Sequence, residues 1–161
     1  YTIRTGNPIT DVIINDRQRE AAALGIDFQC EFTYPASGRY DAYDIGIILN
    51  NLLQNALEAC EKLSKGRKYI ALSGRQKKRF YLIDIRNSFE GKITFHRNTR
   101  LPVSTKQRDS PAAVSLHGIG LSNVKQEVEK YVGELDIKTE GSEFHVTVLL
   151  QEIRDGTPTG H

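Results

Sequence analysis

Between about Tyr43 and Leu63, apolar side chains recur at three- and four-residue steps: Ile45, Ile48, Leu49, Leu52, Leu53, Ala56, Leu57 and Cys60. This spacing predicts a long amphipathic helix with a broad buried face. Asp41 or Asp44 is placed to cap its start, and the polar run Ser64-Lys65-Gly66-Arg67 ends it. Upstream, Asn7-Pro8 pairs a capping side chain with a proline at the first helical position. Ile9, Val12, Ile13 and Leu24 carry a helical stripe from there, and Gly25 is a good stop. Ile26, Phe28, Cys30 and Phe32 then alternate, which predicts a half-buried strand. Pro35 and Gly38 punctuate the loop that follows.

Beyond the long helix, Lys68 to Ser73 and Phe80 to Arg86 predict two strands joined as a hairpin across the polar link Gly74 to Arg79. From Ser88 to Leu116 the periodicity fails, and so long a stretch inside a compact domain predicts a functional lid or disorder. His117-Gly118-Ile119-Gly120 leads into a second helix, Leu121 to Val132, with Val124, Val128, Tyr131 and Val132 inward and Gly133 as its end. Leu135 to Thr139 and Phe144 to Leu150 predict a last hairpin around Gly141-Ser142, and the tail from about Asp155 is polar. There are no internal repeats. Hairpins with helices between them predict an α+β fold: a two-layer sandwich whose mostly antiparallel sheet is covered on one face by helices.

Composition narrows the function. A chain of 161 residues with 39% hydrophobic and 26% charged positions is long enough for one domain with a real core. A net charge of +2 is too small to mark nucleic acid as the main partner. No apolar run reaches membrane-spanning length, and the first residues do not read as a signal peptide. Cys30 and Cys60, on a predicted strand and helix, read as two buried reduced thiols, which suits a cytosolic setting. Opening at Tyr1 without an initiator Met, the chain reads as a piece of a longer protein.

Asn51 and Asn55 lie one turn apart on the long helix, with Glu58 nearly on the same stripe. Asn is a mediocre helix former, so a pair beside a core face needs a reason. One reading is a solvated polar edge, with Glu58 a surface partner for Lys62. The other is a site where neutral amide oxygens take a metal ion already bound to phosphates. Gly118 and Gly120 open a helix after a long loop, where free N–H groups and the helix dipole suit an anion. Glycine also lets a phosphate approach the backbone. Thr105-Lys106 can reach a terminal phosphate, although alone it reads as an ordinary surface pair, and His117 as a loop residue. The P-loop pattern and the dinucleotide fingerprint are both absent.

Taken together in this order, these features resemble the ATP-binding catalytic domain of sensor histidine kinases, the GHKL or Bergerat fold. The resemblance covers about residues 26 to 150. Asn51-Leu52-Leu53-Gln54-Asn55-Ala56 matches the N box, and His117-Gly118-Ile119-Gly120-Leu121-Ser122-Asn123-Val124 the second glycine box. Thr5-Gly6-Asn7-Pro8 through Leu24-Gly25-Ile26 is similar to the connection found in the Agr/VirS-like peptide-sensing branch. Most of the superfamily carries Asp-x-Gly-x-Gly after the hairpin, with Asp reading the adenine amino group. Here the place holds Asn87-Ser88-Phe89-Glu90-Gly91, and an Asn carbonyl can still accept from adenine N6.

The resemblance implies Mg-ATP binding, with Asn55 holding Mg²⁺ and Asn51 beside it. It implies contacts to the nucleotide from Asn87, Thr105, Lys106 and the run His117, Gly118, Ile119, Gly120 and Leu121, and catalytic roles for Asn51 and Lys106. It implies transfer of the γ-phosphoryl group to a histidine on an upstream dimerisation hairpin of the same protein, absent from this chain, and then to a cognate response regulator. Residues 1–25 are expected to be the end of the dimerisation helix and its connection, 26–152 the catalytic domain, and 153–161 a tail. The whole protein is expected to be a membrane-anchored homodimer with this domain in the cytoplasm and no nucleic-acid partner. A GHKL-type ATPase, an anti-sigma-type serine kinase and a degenerate protein-docking module are the alternatives.

Overall fold

The computed structural model describes residues 2–36, 38–91 and 116–151. Within them the elements run α1 (Pro8–Ala23), β1 (Asp27–Phe32), α2 (Ala42–Glu61), β2 (Tyr69–Lys77), β3 (Phe80–Ser88), α3 (Leu116–Glu129), β4 (Glu134–Glu140) and β5 (Glu143–Gln151). The strands form one sheet in the order β1-β2-β3-β5-β4. Only β1 pairs parallel, with β2; the other three pairings are antiparallel. This is the expected α+β sandwich.

Strand alternation decides which face the helices cover. Ile70 and Leu72 of β2, Tyr81, Ile83 and Ile85 of β3, and Phe144, Val146, Val148 and Leu150 of β5 are buried, while their neighbours are not. All point to one side of the sheet. Against them lies α2, whose Ile45, Ile48, Leu49, Leu52, Leu53 and Leu57 are at most 1% exposed. At roughly 1.5–3 kcal/mol for each such side chain, α2 is the main apolar anchor of the domain. Asp41 caps it, its carboxylate accepting from the Tyr43 N–H at 2.8 Å. The expected thiols divide: Cys60 is buried in α2, whereas Cys30 on β1 is only partly buried.

α1 begins as the sequence indicates, with Asn7 Oδ1 accepting from the N–H groups of Ile9 (2.9 Å) and Thr10 (3.2 Å). It packs along α2, where Gly46 faces Ile9 and Ile13. The segment before it is tied down as well. Asn15 brackets Ile3, accepting from its N–H and donating to its carbonyl, both at 2.8 Å. Thr5 O accepts from Tyr34 N at 2.8 Å.

Two boundaries differ from the sequence reading. β2 runs further than expected, to Lys77, and meets β3 at its expected start, Phe80, because the turn is made at Lys78, in the left-handed region at φ 57°. The last helix begins earlier, at Leu116, and ends earlier, at Glu129. Its chain reversal uses Val132 at φ 50°, not Gly133. Gly133 is needed for a different reason: a Cβ there would lie 2.4 Å from the Leu149 carbonyl oxygen and 2.9 Å from Val128 Cγ1. Among the described residues, no helix is long and apolar enough to cross a membrane.

Candidate functional site

α2 and α3 lie side by side, and their contact joins the two motifs that stand far apart in sequence. Gly120 is buried against Asn51: a Cβ on Gly120 would lie 3.5 Å from Asn51 Oδ1 and 3.8 Å from the Asn51 carbonyl oxygen. The Asn51 amide has a defined orientation. Its Nδ2 donates to the Ile47 carbonyl one turn back at 2.8 Å, which leaves Oδ1 on the side of α3. Asn55, one turn further along α2, is 3% exposed. Glu58 accepts from Gln54 Nε2, one turn back on the helix surface, at 3.2 Å.

The start of α3 changes the role open to its glycines. His117, Gly118 and Ile119 fall within its first four residues, the ones whose N–H groups a helix leaves unpaired. Gly120 is the fifth, and helix geometry commits its N–H to the carbonyl four residues back. Gly120 therefore serves by what it lacks, a side chain between α3 and Asn51, while N–H groups free for an anion belong to the residues before it. Leu121 is fully buried and fastens α3 to the core with Val124 and Val128. Thr105 and Lys106, and the interior of the expected lid, lie outside the described residues.

Asn87 is the penultimate residue of β3, whose end lies next to the last turn of α2. It is 1% exposed, and the one hydrogen bond its side chain makes among the described residues runs from Nδ2 to the Ser88 carbonyl at 2.9 Å. Ser88 is buried beneath it, its Oγ accepting from the Tyr69 N–H at 3.0 Å. Cys60 Sγ of α2 sits 3.5 Å from that Oγ and 3.4 Å from the Tyr69 carbonyl. Burial pushes the Cys60 thiol above its ordinary pKa, and that of Cys30 up to about 11, so both are protonated near neutral pH. The chain leaves β3 firmly anchored. Phe89 donates its N–H to Ser142 O at 2.8 Å and packs its ring 5.9 Å from that of Phe144. Both carboxylate oxygens of Glu90 take Ser64, through its N–H and its hydroxyl. Gly91 then turns at φ 107°. Gly91, at the place of the last glycine of the Asp-x-Gly-x-Gly box, thus takes a conformation that favours glycine, while Phe89 stands at the place of the first.

Sequence reasoning missed the Ser88–Cys60 contact, since the two residues are far apart in the chain and neither residue type marks a nucleotide site. It also missed Asp84, His145 and Thr147 on the open face of the sheet, where Asp84 Oδ1 holds both the His145 ring and, at 3.0 Å, the Thr147 hydroxyl. Only strand register brings those three together.

Residues 40–151 match the family model of the GHKL domain, and the chain belongs to that family. Among curated proteins no sequence matches it. Several solved structures share its fold. The catalytic domain of the histidine kinase ThkA superposes with a TM-score of 0.65 at 17% identity, over 92% of this chain and 93% of that one. A mycobacterial sensor histidine kinase, MprB, gives a TM-score of 0.61 at 18% identity, over 89% and 93%. The histidine kinase AdeS of Acinetobacter baumannii gives 0.64 at 13% identity, over 91% of this chain and 64% of that one. The fold is therefore that of histidine-kinase catalytic domains, and this chain spans under two thirds of the AdeS chain it matches.

Proposed function

We propose that this domain binds Mg-ATP and transfers its γ-phosphoryl group to a histidine on an upstream helical hairpin of the same protein, from which it passes to an aspartate of a cognate response regulator. The observation that supports the reading is the meeting of Asn51 with Gly120, which brings one amide of α2 to the start of α3. Neutral amide oxygens are donors that suit a hard cation already charge-balanced by phosphates. The donor set on α2 fits Mg²⁺, with Asn55 as its protein ligand. When bound, the ion would neutralise charge on the phosphates.

The chain's own groups would then act by position. Backbone N–H groups from His117 to Ile119 suit the phosphates, with Gly118 admitting close approach and Leu121 holding the helix in place. Asn87 would meet the adenine edge, and Thr105 and Lys106 the terminal phosphate. Phosphoryl transfer asks for positioning and electrostatic stabilisation more than for covalent help from the protein. The segment before residue 26, packed on α2, would join the domain to the hairpin. The connection from Thr5 to Ile26 favours the peptide-sensing branch, a homodimer anchored in the membrane with this domain in the cytoplasm.

Titration of the chain with ATP by calorimetry, with and without Mg²⁺, tests the reading. Wild type should bind in a Mg²⁺-dependent manner, and Asn55→Ala should lose that dependence. Equal affinity of the two proteins would remove Asn55 from the site. With γ-labelled ATP the chain should leave itself unlabelled and label the separately supplied hairpin of its full-length protein on histidine. Stoichiometric acid-labile label on the chain alone would overturn the assignment.

A further inference from the structure

The Asn87 amide is nearly inaccessible, and among the described residues it bonds through its nitrogen, donating to the Ser88 carbonyl at 2.9 Å. An amide so held turns its acceptor, Oδ1, away from the Ser88 carbonyl, to which one of the two N–H groups of Nδ2 is committed. If the amide turned over, the same place would offer a donor. The two orientations read purine bases oppositely: adenine presents an amino group at its C6 position, guanine a carbonyl oxygen. Whatever holds the amide therefore decides the base.

The anchor is the Ser88 carbonyl, and it is fixed from two sides. The Ser88 side chain takes the Tyr69 N–H at 3.0 Å, in place of a ladder bond at the end of β2. Cys60 Sγ, on the last turn of α2, lies 3.5 Å from Ser88 Oγ and 3.9 Å from the Ser88 carbonyl oxygen. Cys60, Ser88 and Asn87 are each at most 4% exposed, so no water competes for these groups. The helix that carries Asn51 and Asn55 thus reaches, through Cys60, the residue proposed to meet the base.

We infer that Ser88 and Cys60 are positioning residues for base specificity, locking the Asn87 amide with its oxygen outward so that the site prefers adenine to guanine. The inference rests on the proposed nucleotide site. Removing the lock by Ser88→Ala orphans the Tyr69 N–H and frees the carbonyl that Asn87 grips. ATP then loses its acceptor for part of the time, and GTP meets a donor.

Competition of ATP, GTP and inorganic tripolyphosphate against a fluorescent nucleotide tests it on the whole chain. A single neutral hydrogen bond of about 0.5–1.5 kcal/mol sets the scale, about 2- to 13-fold in Kd. Ser88→Ala and Cys60→Ala should each lower the ATP-to-GTP preference within that range and leave tripolyphosphate unchanged. Cys60→Ser, which keeps a donor at the same place, should restore the preference. In the Asn87→Ala background, Ser88→Ala should have no further effect on either nucleotide. Parallel losses for ATP, GTP and tripolyphosphate, or additive effects of the two substitutions, would overturn the inference while leaving the nucleotide site standing. A wild-type chain that binds no nucleotide overturns both.

Discussion

Gly133 offers a sharp test of how tightly the two layers are joined. It connects α3 to β4, and a Cβ built on it falls 2.4 Å from the Leu149 carbonyl oxygen, 2.9 Å from Val128 Cγ1 and 3.2 Å from Leu150 Cδ2. Carbon–oxygen contacts seldom close below about 3.3 Å, so in Gly133→Ala something must yield by roughly 1 Å. The obstacle is backbone on β5, paired on both sides with β3 and β4, so no rotamer change relieves it. Overpacking of a well-filled site costs about 1–3 kcal/mol. Alanine's smaller unfolded-state entropy offsets roughly 0.4–1 kcal/mol of that. For a domain of this size each kcal/mol moves Tm by about 2–4 °C, so the net cost of up to about 2.6 kcal/mol corresponds to a fall of up to about 10 °C, with the variant melting below the control. Thermal unfolding followed by far-UV circular dichroism measures it, with Gly38→Ala as the control. Gly38 is exposed, has nothing within 4 Å of a built Cβ and has no positive φ, so its variant carries the unfolded-state gain alone and should melt at or slightly above wild type. A Gly133→Ala protein that melts with the control would refute the packing described for this turn.

Three further outcomes are expected. Val132 is β-branched, 76% exposed and held at φ 50°, so Val132→Gly should raise stability by about 1 kcal/mol in urea unfolding; unchanged or lower stability would mean the strain is illusory. Burial alone would raise the Asp44 pKa, but the hydrogen bond from the Tyr131 hydroxyl and the charge of Lys130 outweigh it and hold the carboxyl below its usual value. Its contribution should therefore be complete above about pH 4 and vanish as pH falls through the depressed pKa, so the gap in urea midpoint between wild type and Asp44→Asn should close in acid; a gap independent of pH contradicts this. Hydrolytic relatives of this fold place a carboxylate where Asn51 stands, and an amide cannot act as a general base for water. Steady-state phosphate release at saturating Mg-ATP should be well below about one per second, the low end of ordinary turnover, and robust hydrolysis would favour an ATPase.

Much of the domain was legible in the chain because it rests on local periodicity. The apolar steps of α2 located its buried face, and Asn7-Pro8 located the start of α1. Alternation found the strands, since a face against helices and a face toward solvent write themselves into neighbouring residues. The Asn51/Asn55 stripe and the glycines at Gly118 and Gly120 marked the candidate site for the same reason: each is a short-range pattern whose chemistry is carried by residue type.

What sequence could not determine is long-range geometry. No local signal states that β1 lies parallel to β2, that β5 inserts between β3 and β4, or that Gly120 rests on Asn51. The Gly133 stop and the Val132 reversal were exchanged because propensity favours glycine at a left-handed position, whereas here close packing against Leu149 claimed the glycine and left the turn to valine. The Ser88 grip on Asn87, with Cys60 behind it, likewise appears only once the end of α2 meets the end of β3, for it depends on which buried polar groups have no water to turn to.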